Sequence, residues 1–396
     1  MTRLSRRNAM SLSMAMLGTA LVPRLTFAQS GPLKIGVITT LSGPGGYIGQ
    51  DIRDGLMLAA DLEGGSLGGV PVQFLVEDDG LKPAQAKEIA DRMYRSDGIR
   101  LFTGIVFSNV LAAAVPDLLD NEAVYVSPNA APSNFAGKGC DKNFFVVSWQ
   151  NDNLHESAGA NANRLGYKRM VLLAPNYQAG KDALTGFKRM FKGEVAQEIY
   201  TRLDQTDFSA EMAQIRDAKP DAVYQFHPGG LGIAFLRQYQ QAGLLGQVPM
   251  TLSEVAMDST ILAAVGEAAA GITLTVHWNA DFDNPANRRF VDAFTRKYKR
   301  LPTIYASQGY DTALAIGAAL KGSGGQFADP AAFRKAMLPA KFESVRGRFA
   351  FGPNQHPVQD WSTAVVEPGP DGKLVIRTKG KVLENYGDAY AAECRL

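Results

Sequence analysis

Three groups of residues in this chain have the types and spacing to do chemistry. The first is a glycine-rich loop, "TTLSGPGGYIGQD", set between an apolar strand pattern and a helix pattern. A dinucleotide fingerprint would need G-x-G-x-x-G there. Gly43 and Gly45 fit, but Ile48 stands in the third glycine's place and Gly49 comes one residue late. A helix starting near Gln50 would still leave free N–H groups aimed into the loop, which suits an anion smaller than a pyrophosphate. The second group is Ser108-Asn109 in "GIVFSNV", just before a helix pattern, where a hydroxyl, an amide and backbone N–H groups converge; Ser108 could equally be the helix N-cap. The third is the titratable set. His155, His227, His277 and His356 are far apart with no H-x-x-x-H pair, and Glu77-Asp78-Asp79 could hold magnesium but runs into an Asp79-Gly80 turn signal. No G-x-S-x-G nucleophile elbow occurs. A binding site therefore explains these residues better than a catalytic one, and neither a cofactor nor a metal is implied.

The elements that must position these groups alternate. "LKIGVI", "VPVQFLVEDD", "IRLFTGIV" and "AVYVSP" are short and apolar at their centres, as buried parallel strands should be. Helical patterns lie between them, at 83–96 and 110–120. After "NFFVVSWQ" the alternation restarts with strands "KRMVLLAP", "EVAQEIYT", "DAVYQF" and "GITLTV" and helices near 180–191, 208–218, 232–242 and 258–265. Further helices are expected at 284–299, at 305–321 and after Pro330, then strands around 346–351, 361–367 and 374–377. This predicts an α/β fold twice over, with passages between the halves near 148–150, 276–280 and 352–358. The halves share a detail. Tyr47 is followed by Gly49-x-Asp51-x-x-x-Gly55, and Tyr177 by Gly180-x-Asp182-x-x-x-Gly186. Each motif follows an apolar strand and opens a helix. In open α/β sheets ligands sit at the carboxyl ends of strands, so two such lobes facing each other would form a cleft.

Residues 1–28 carry Arg3, Arg6 and Arg7, a weakly apolar run from Ala9 to Val22, and small residues up to Ala28. This is the pattern of a cleaved signal peptide, too short for a membrane span. The Arg6-Arg7 pair favours the twin-arginine route, and no cysteine at the cleavage site offers a lipid anchor. The segment holds four arginines and no acid, so the formal net charge of +2 becomes −2 for the remaining chain. No basic stripe is left to attract nucleic acid. The two cysteines, Cys140 and Cys394, permit one disulfide in an exported protein.

The stretches "IGVITTLSGP", "GIVFSNV", "SWQND", "APNYQAGKDALTGFKR" and "YASQGYD" resemble the type 1 periplasmic solute-binding proteins of ABC importers, in the leucine/isoleucine/valine-binding group, over essentially the whole mature chain. The likeness is greatest to a subgroup associated with aromatic acids. It implies two Rossmann-like lobes, a three-crossing hinge, a small carboxylate clamped between the lobes, and membrane permease and ATPase partners, with the binding protein itself a monomer in the periplasm. On this frame the lobes are 31–148 plus 279–353 and 149–278 plus 354–384, with 385–396 a C-terminal tail. The matched ligand positions are Ser42 and Tyr47 in the first loop, Ser108 at the carboxylate, Asn129 and Ala131 for backbone contacts, and Phe226 and Glu254 on the second lobe; the residues' own pattern adds Asn109 beside Ser108 and Tyr177 in the second lobe's loop. Glu254 matches the acceptor of an amino acid's ammonium, whereas Phe226 and the subgroup favour an aromatic acid, so both ligand classes stay open. Tyr47 and Tyr177 are expected to face each other across the cleft. Two rivals remain: a ligand-sensing regulator of the same fold, which the export signal opposes, and a periplasmic NAD-dependent oxidoreductase, which the failed fingerprint opposes.

Overall fold

The computed structural model describes residues 31–325, 327 and 330–396; the expected signal peptide and its cleavage near Ala28 lie outside them. The first half of the chain runs β1 (Leu33–Thr39), α1 (Gly46–Leu62), β2 (Ser66–Leu67), β3 (Val70–Asp78), α2 (Pro83–Arg95), β4 (Leu101–Thr103), α3 (Ser108–Asp120), β5 (Val124–Ser127) and β6 (Phe144–Val146). These strands form one sheet in the order β2-β3-β1-β4-β5-β6, parallel except for β2. The restart then gives α4 (Asn151–Arg164), β7 (Arg169–Pro175), α5 (Gln178–Met190), β8 (Glu194–Thr201), α6 (Ser209–Ala218), β9 (Ala222–Gln225), α7 (Gly230–Gln241), β10 (Met250–Ser253), α8 (Ser259–Val265) and β11 (Thr273–Val276). Its parallel strands order as β8-β7-β9-β10-β11. Both lobes therefore have the same doubly wound 2-1-3-4-5 order, and their strand order reverses at β1/β4 and at β7/β9.

The chain continues through α9 (Pro285–Tyr298), α10 (Ile304–Gly322) and α11 (Pro330–Met337), then β12 (Phe349–Phe351), β13 (Pro357–Pro368) and β14 (Leu374–Tyr386). α10 packs along α1 of the first lobe. β13 joins the second sheet antiparallel to β11, with β12 and β14 on it. The turn between β12 and β13 docks on the first sheet, where the Val146 N–H donates to Gln355 O (3.0 Å) and Gln355 Nε2 donates to Phe144 O (2.7 Å). This hairpin thus spans both sheets.

The repeated motif has a packing cause. A Cβ on Gly49 would lie 2.0 Å from Thr40 O, and one on Gly180 would lie 1.8 Å from Pro175 O. Each glycine lets its helix close onto the end of the preceding strand. Gly55 and Gly186 do the same for helix pairing, α1 against α10 and α5 against α4. Helix starts follow local chemistry elsewhere: Asp258 accepts from the N–H groups of Thr260 and Ile261 at the head of α8 (2.7 and 2.9 Å), and Pro83 opens α2. Two starts differ from expectation. α1 begins at Gly46 rather than near Gln50, because the turn over Gly43 returns the chain early. α3 begins at Ser108 with Phe107 in the N-cap place, so Ser108 is the first helical residue and not the cap.

Cys140 and Cys394 form a disulfide, tying the segment before β6 to the C-terminal tail. That tail also crosses to the second lobe, where Tyr390 Oη donates to Asp152 Oδ2 (2.8 Å) and Arg189 pairs with Asp152 (2.9 Å). Replacing Cys140 by Ser frees a loop of 254 residues and should lower the unfolding free energy by about 2–4 kcal/mol. Urea denaturation with and without reductant checks this: reductant should bring the wild type down to the variant and leave the variant unchanged.

Candidate functional site

The two points of strand-order reversal face the same interior. The loop after β4 brings Phe107 and Ser108, the loop after β7 brings Tyr177, and the loop after β9 brings Phe226 and Pro228. Trp149 enters from the first hinge passage, Asn151 and His155 from α4 and Tyr305 from α10. Together they enclose a small cavity, about 30 Å³ counted as room for the centres of water-sized molecules.

Aromatic rings make its walls. Tyr177 lies 6.3 Å from Phe226 with near-parallel planes and 6.5 Å from Phe107 of the other lobe. No Asp, Glu, Lys or Arg is among the lining residues. The feature suited to an anion is the head of α3. No side chain caps it, so the N–H groups of its first turn remain free and the helix dipole adds positive potential at that point. Ser108 Oγ sits there, accepting from Asn151 Nδ2 (3.2 Å). Asn151 is a junction: its amide also donates to Asp182 Oδ2 (3.1 Å), and its Oδ1 accepts from the Ala131 N–H (3.2 Å).

The lobes are closed on each other. Ser133 of the first lobe donates its N–H and its hydroxyl to Asp182 of α5 (3.0 and 2.7 Å). Burial raises the Asp182 pKa, and nearby Asp152 raises it further, against the hydrogen bonds from Ser133 and Gln178. The Gly230 N–H donates to Pro44 O (3.1 Å), Tyr305 Oη to Val255 O (3.3 Å), and Tyr47 Oη to Asp258 Oδ2 (2.7 Å).

Of the positions expected from sequence, Ser108, Asn129, Tyr177 and Phe226 line this cavity. Ser42 is exposed in the first loop, beside the backbone that donates to Asp78 (Leu41 N–H, 2.8 Å). Asn109 and Ala131 adjoin the lining without being part of it. Tyr47 does not face Tyr177. Its ring packs edge-on to Tyr305 at 6.2 Å, and its hydroxyl is spent on Asp258. Glu254 turns away from the cavity toward the hinge. Its Oε1 accepts from the His277 backbone N–H (3.1 Å) and meets His277 Nδ1, with Trp149 and Trp361 packed around that imidazole. Glu254 and Asp258 flank a separate hollow of about 800 Å³ between α8, α9 and the β13–β14 turn.

Phe107, Trp149, Asn151, His155 and Tyr305 are site residues that sequence reasoning did not single out. "SWQND" and "YASQGYD" carried three of them as part of a resemblance, but His155 sits in a polar stretch, "NDNLHES", with the look of an exposed helix. It is 1% exposed. Since Tyr47 acts here through closure, Tyr47→Phe should weaken ligand binding about tenfold, the worth of one hydrogen bond to a charged acceptor at about 1.5 kcal/mol. Titration calorimetry checks it, and the enthalpy of any ring contact with the ligand should be unaltered.

A family model described as "Periplasmic binding protein" matches residues 32–373. The chain is 27% identical over 359 residues to the Leu/Ile/Val-binding protein homolog 6 of Brucella melitensis biotype 1, covering 87% of this chain and 90% of that one. Among solved structures it is similar to an ABC-transporter solute binding protein from R. palustris in complex with benzoate, with 31% identity, a TM-score of 0.87, and 92% of this chain and all (100%) of that one covered. It is also similar to a solute binding protein from Rhodopseudomonas palustris BisB5 in complex with 3,4-dihydroxybenzoic acid, at 27% identity and a TM-score of 0.85, covering 90% and 99% of the two chains.

Proposed function

The chain belongs to the periplasmic binding protein family, and from that premise we propose that it is the solute-binding component of an ABC importer whose solute is an aromatic carboxylate without an amino group. One observation carries the choice of ligand: a closed cavity with aromatic walls, a free helix N-terminus at one side, and no carboxylate in its lining. An amino acid would bring an ammonium into that space, and a buried cation left unpaired there costs several kcal/mol. Glu254, the residue matched to an ammonium acceptor, lies outside that lining and holds His277 through Oε1. The benzoate and dihydroxybenzoate bound by similar proteins support the same reading.

In this reading the α3 N-terminus and Ser108 take the ligand carboxylate, and Tyr177, Phe226 and Phe107 hold the ring. Residues 31–148 with 279–353 act as one jaw and 149–278 with 354–384 as the other. The protein is exported by the twin-arginine route, cleaved near Ala28, and works as a periplasmic monomer that delivers its solute to a permease and ATPase. It is a binder and catalyses no reaction.

A thermal-shift series tests the ligand class. At a hundredfold excess over Kd, a ligand bound only by the folded state adds about 2.7 kcal/mol. Benzoate or a ring-substituted benzoate should raise the melting temperature, while leucine, isoleucine and valine should leave it unchanged. A shift with the amino acids alone would overturn the reading.

A further inference from the structure

His155 lies in the second turn of α4, 1% exposed, with its ring in the wall of the inter-lobe cavity. Two hydroxyls from the strands beneath hold one of its nitrogens: Nδ1 meets Tyr224 Oη and Ser253 Oγ (3.3 Å). Phe226 packs against the imidazole at 4.9 Å and fixes its plane. Nε2 has no hydrogen-bond partner among the described residues, and the residue carrying it faces the cavity.

The protonation state follows from the partners. Burial alone pulls the His155 pKa down to about 3, so the imidazole is neutral and exactly one nitrogen bears a proton. Tyr224 is fully buried and burial raises its pKa, so its hydroxyl keeps its proton and needs an acceptor. With both hydroxyls directed at Nδ1, that nitrogen is the acceptor of the pair. That arrangement puts the ring proton on Nε2. The cavity then contains a fixed, uncharged N–H donor. The α3 head offers a carboxylate the free N–H groups of a helix N-terminus, whereas a neutral imidazole offers no charge. The amides of Asn129 and Asn151 in the same lining already donate to Gln308, Ser108 and Asp182, and a neutral donor beside the Phe226 ring matches a neutral acceptor on the ligand ring.

We propose that His155, through Nε2–H, is the specificity-determining residue that selects an oxygen substituent, such as a hydroxyl, on the ring of the aromatic acid. This rests on the aromatic-carboxylate reading above and adds to it a preference within that class.

Calorimetry of the full mature chain with benzoate and with 2-, 3- and 4-hydroxybenzoate tests it. In the wild type, at least one hydroxybenzoate should bind about tenfold more tightly than benzoate, which is about 1.4 kcal/mol. In His155→Phe the ratio of hydroxybenzoate to benzoate affinity should fall from about ten to about one, a pattern that a purely structural role, weakening all four ligands alike, would not produce. Should His155→Phe fail to fold, Tyr224→Phe replaces it, since removing the hydroxyl that fixes the tautomer should shrink the same ratio. Nitrogen-15 spectra of the wild type should show His155 neutral and protonated at Nε2, with that signal moving for the preferred hydroxybenzoate and not for benzoate. An unchanged ratio in the variant, a ring protonated at Nδ1, or an equal loss of all four ligands would each overturn the proposal; the last would make His155 a carboxylate contact. If none of the four binds the wild type, the aromatic-carboxylate reading falls and this proposal with it.

Discussion

Replacing Ser108 by Asp should abolish binding of benzoate-type ligands, a loss of about 100-fold or more, while the ligand-free protein keeps its melting temperature. The reason is the uncapped head of α3. Ser108 is the first residue of that helix and is 2% exposed in the cavity wall. A carboxylate tethered there would satisfy the free N–H groups and interact well with the helix dipole, by about 0.3–1 kcal/mol. It would also occupy the anion's place and repel the incoming carboxylate. Like charges set side by side in a closed site cost several kcal/mol, and the cavity lining holds no cation to offset them. Calorimetry measures the loss, and differential scanning calorimetry of the apo protein measures the rest. Retained affinity would mean that the ligand carboxylate lies elsewhere.

The largest effect on stability should come from Arg346. Its guanidinium is 2% exposed and pairs with fully buried Asp311 of α10 (Nε to Oδ2, 3.0 Å). Nη1 donates to the carbonyls of Val147 and Ser148 (2.7 and 2.9 Å) and to Gln359 Oε1 of β13 (2.8 Å). Gln359 in turn donates to Ser148 O (2.9 Å). One side chain thus joins α10, the first hinge passage and the strand that enters the second sheet. Arg346→Met should cost about 3–5 kcal/mol, because it leaves the buried Asp311 carboxyl without its guanidinium partner, held by Ser344 and Val345 among the described residues. Adding Asp311→Leu should recover much of that loss, since replacing both partners removes the uncompensated charge. Urea midpoints of the two variants decide it. If the double variant is no more stable than Arg346→Met, the carbonyl contacts at the hinge matter more than the ion pair.

The α/β alternation, its restart after residue 150 and the twin Tyr-Gly-Asp-Gly motifs were legible because each depends on contacts close in sequence. A strand buried on both sides must be apolar throughout. A helix that closes onto its strand end must have glycine at the point of contact, as at Gly49 and Gly180. With only two cysteines, one pairing was available, and the structure forms it. The strand-end loops were legible too, so Ser108, Asn129 and Tyr177 could be named from their places in the pattern, and Phe226 from the family resemblance.

What the sequence by itself determined, then, was the set of elements and the loops they present. Only the tertiary structure decided which side chains on those loops reach the ligand space. Tyr47 and Tyr177 occupy equivalent places in their motifs, yet Tyr177 lines the cavity and Tyr47 closes on Asp258 across the lobes. Glu254 and Val255 are adjacent, but one turns to His277 and the other to the cavity. His155 sits among polar neighbours on a helix and is buried only because the second sheet packs beneath it and the first lobe closes above. A side chain's direction at a strand end is set by the rotation of one lobe against the other, and that rotation is fixed by contacts between residues far apart in the chain, such as Ser133 with Asp182 and Arg346 with Ser148. No local pattern encodes it.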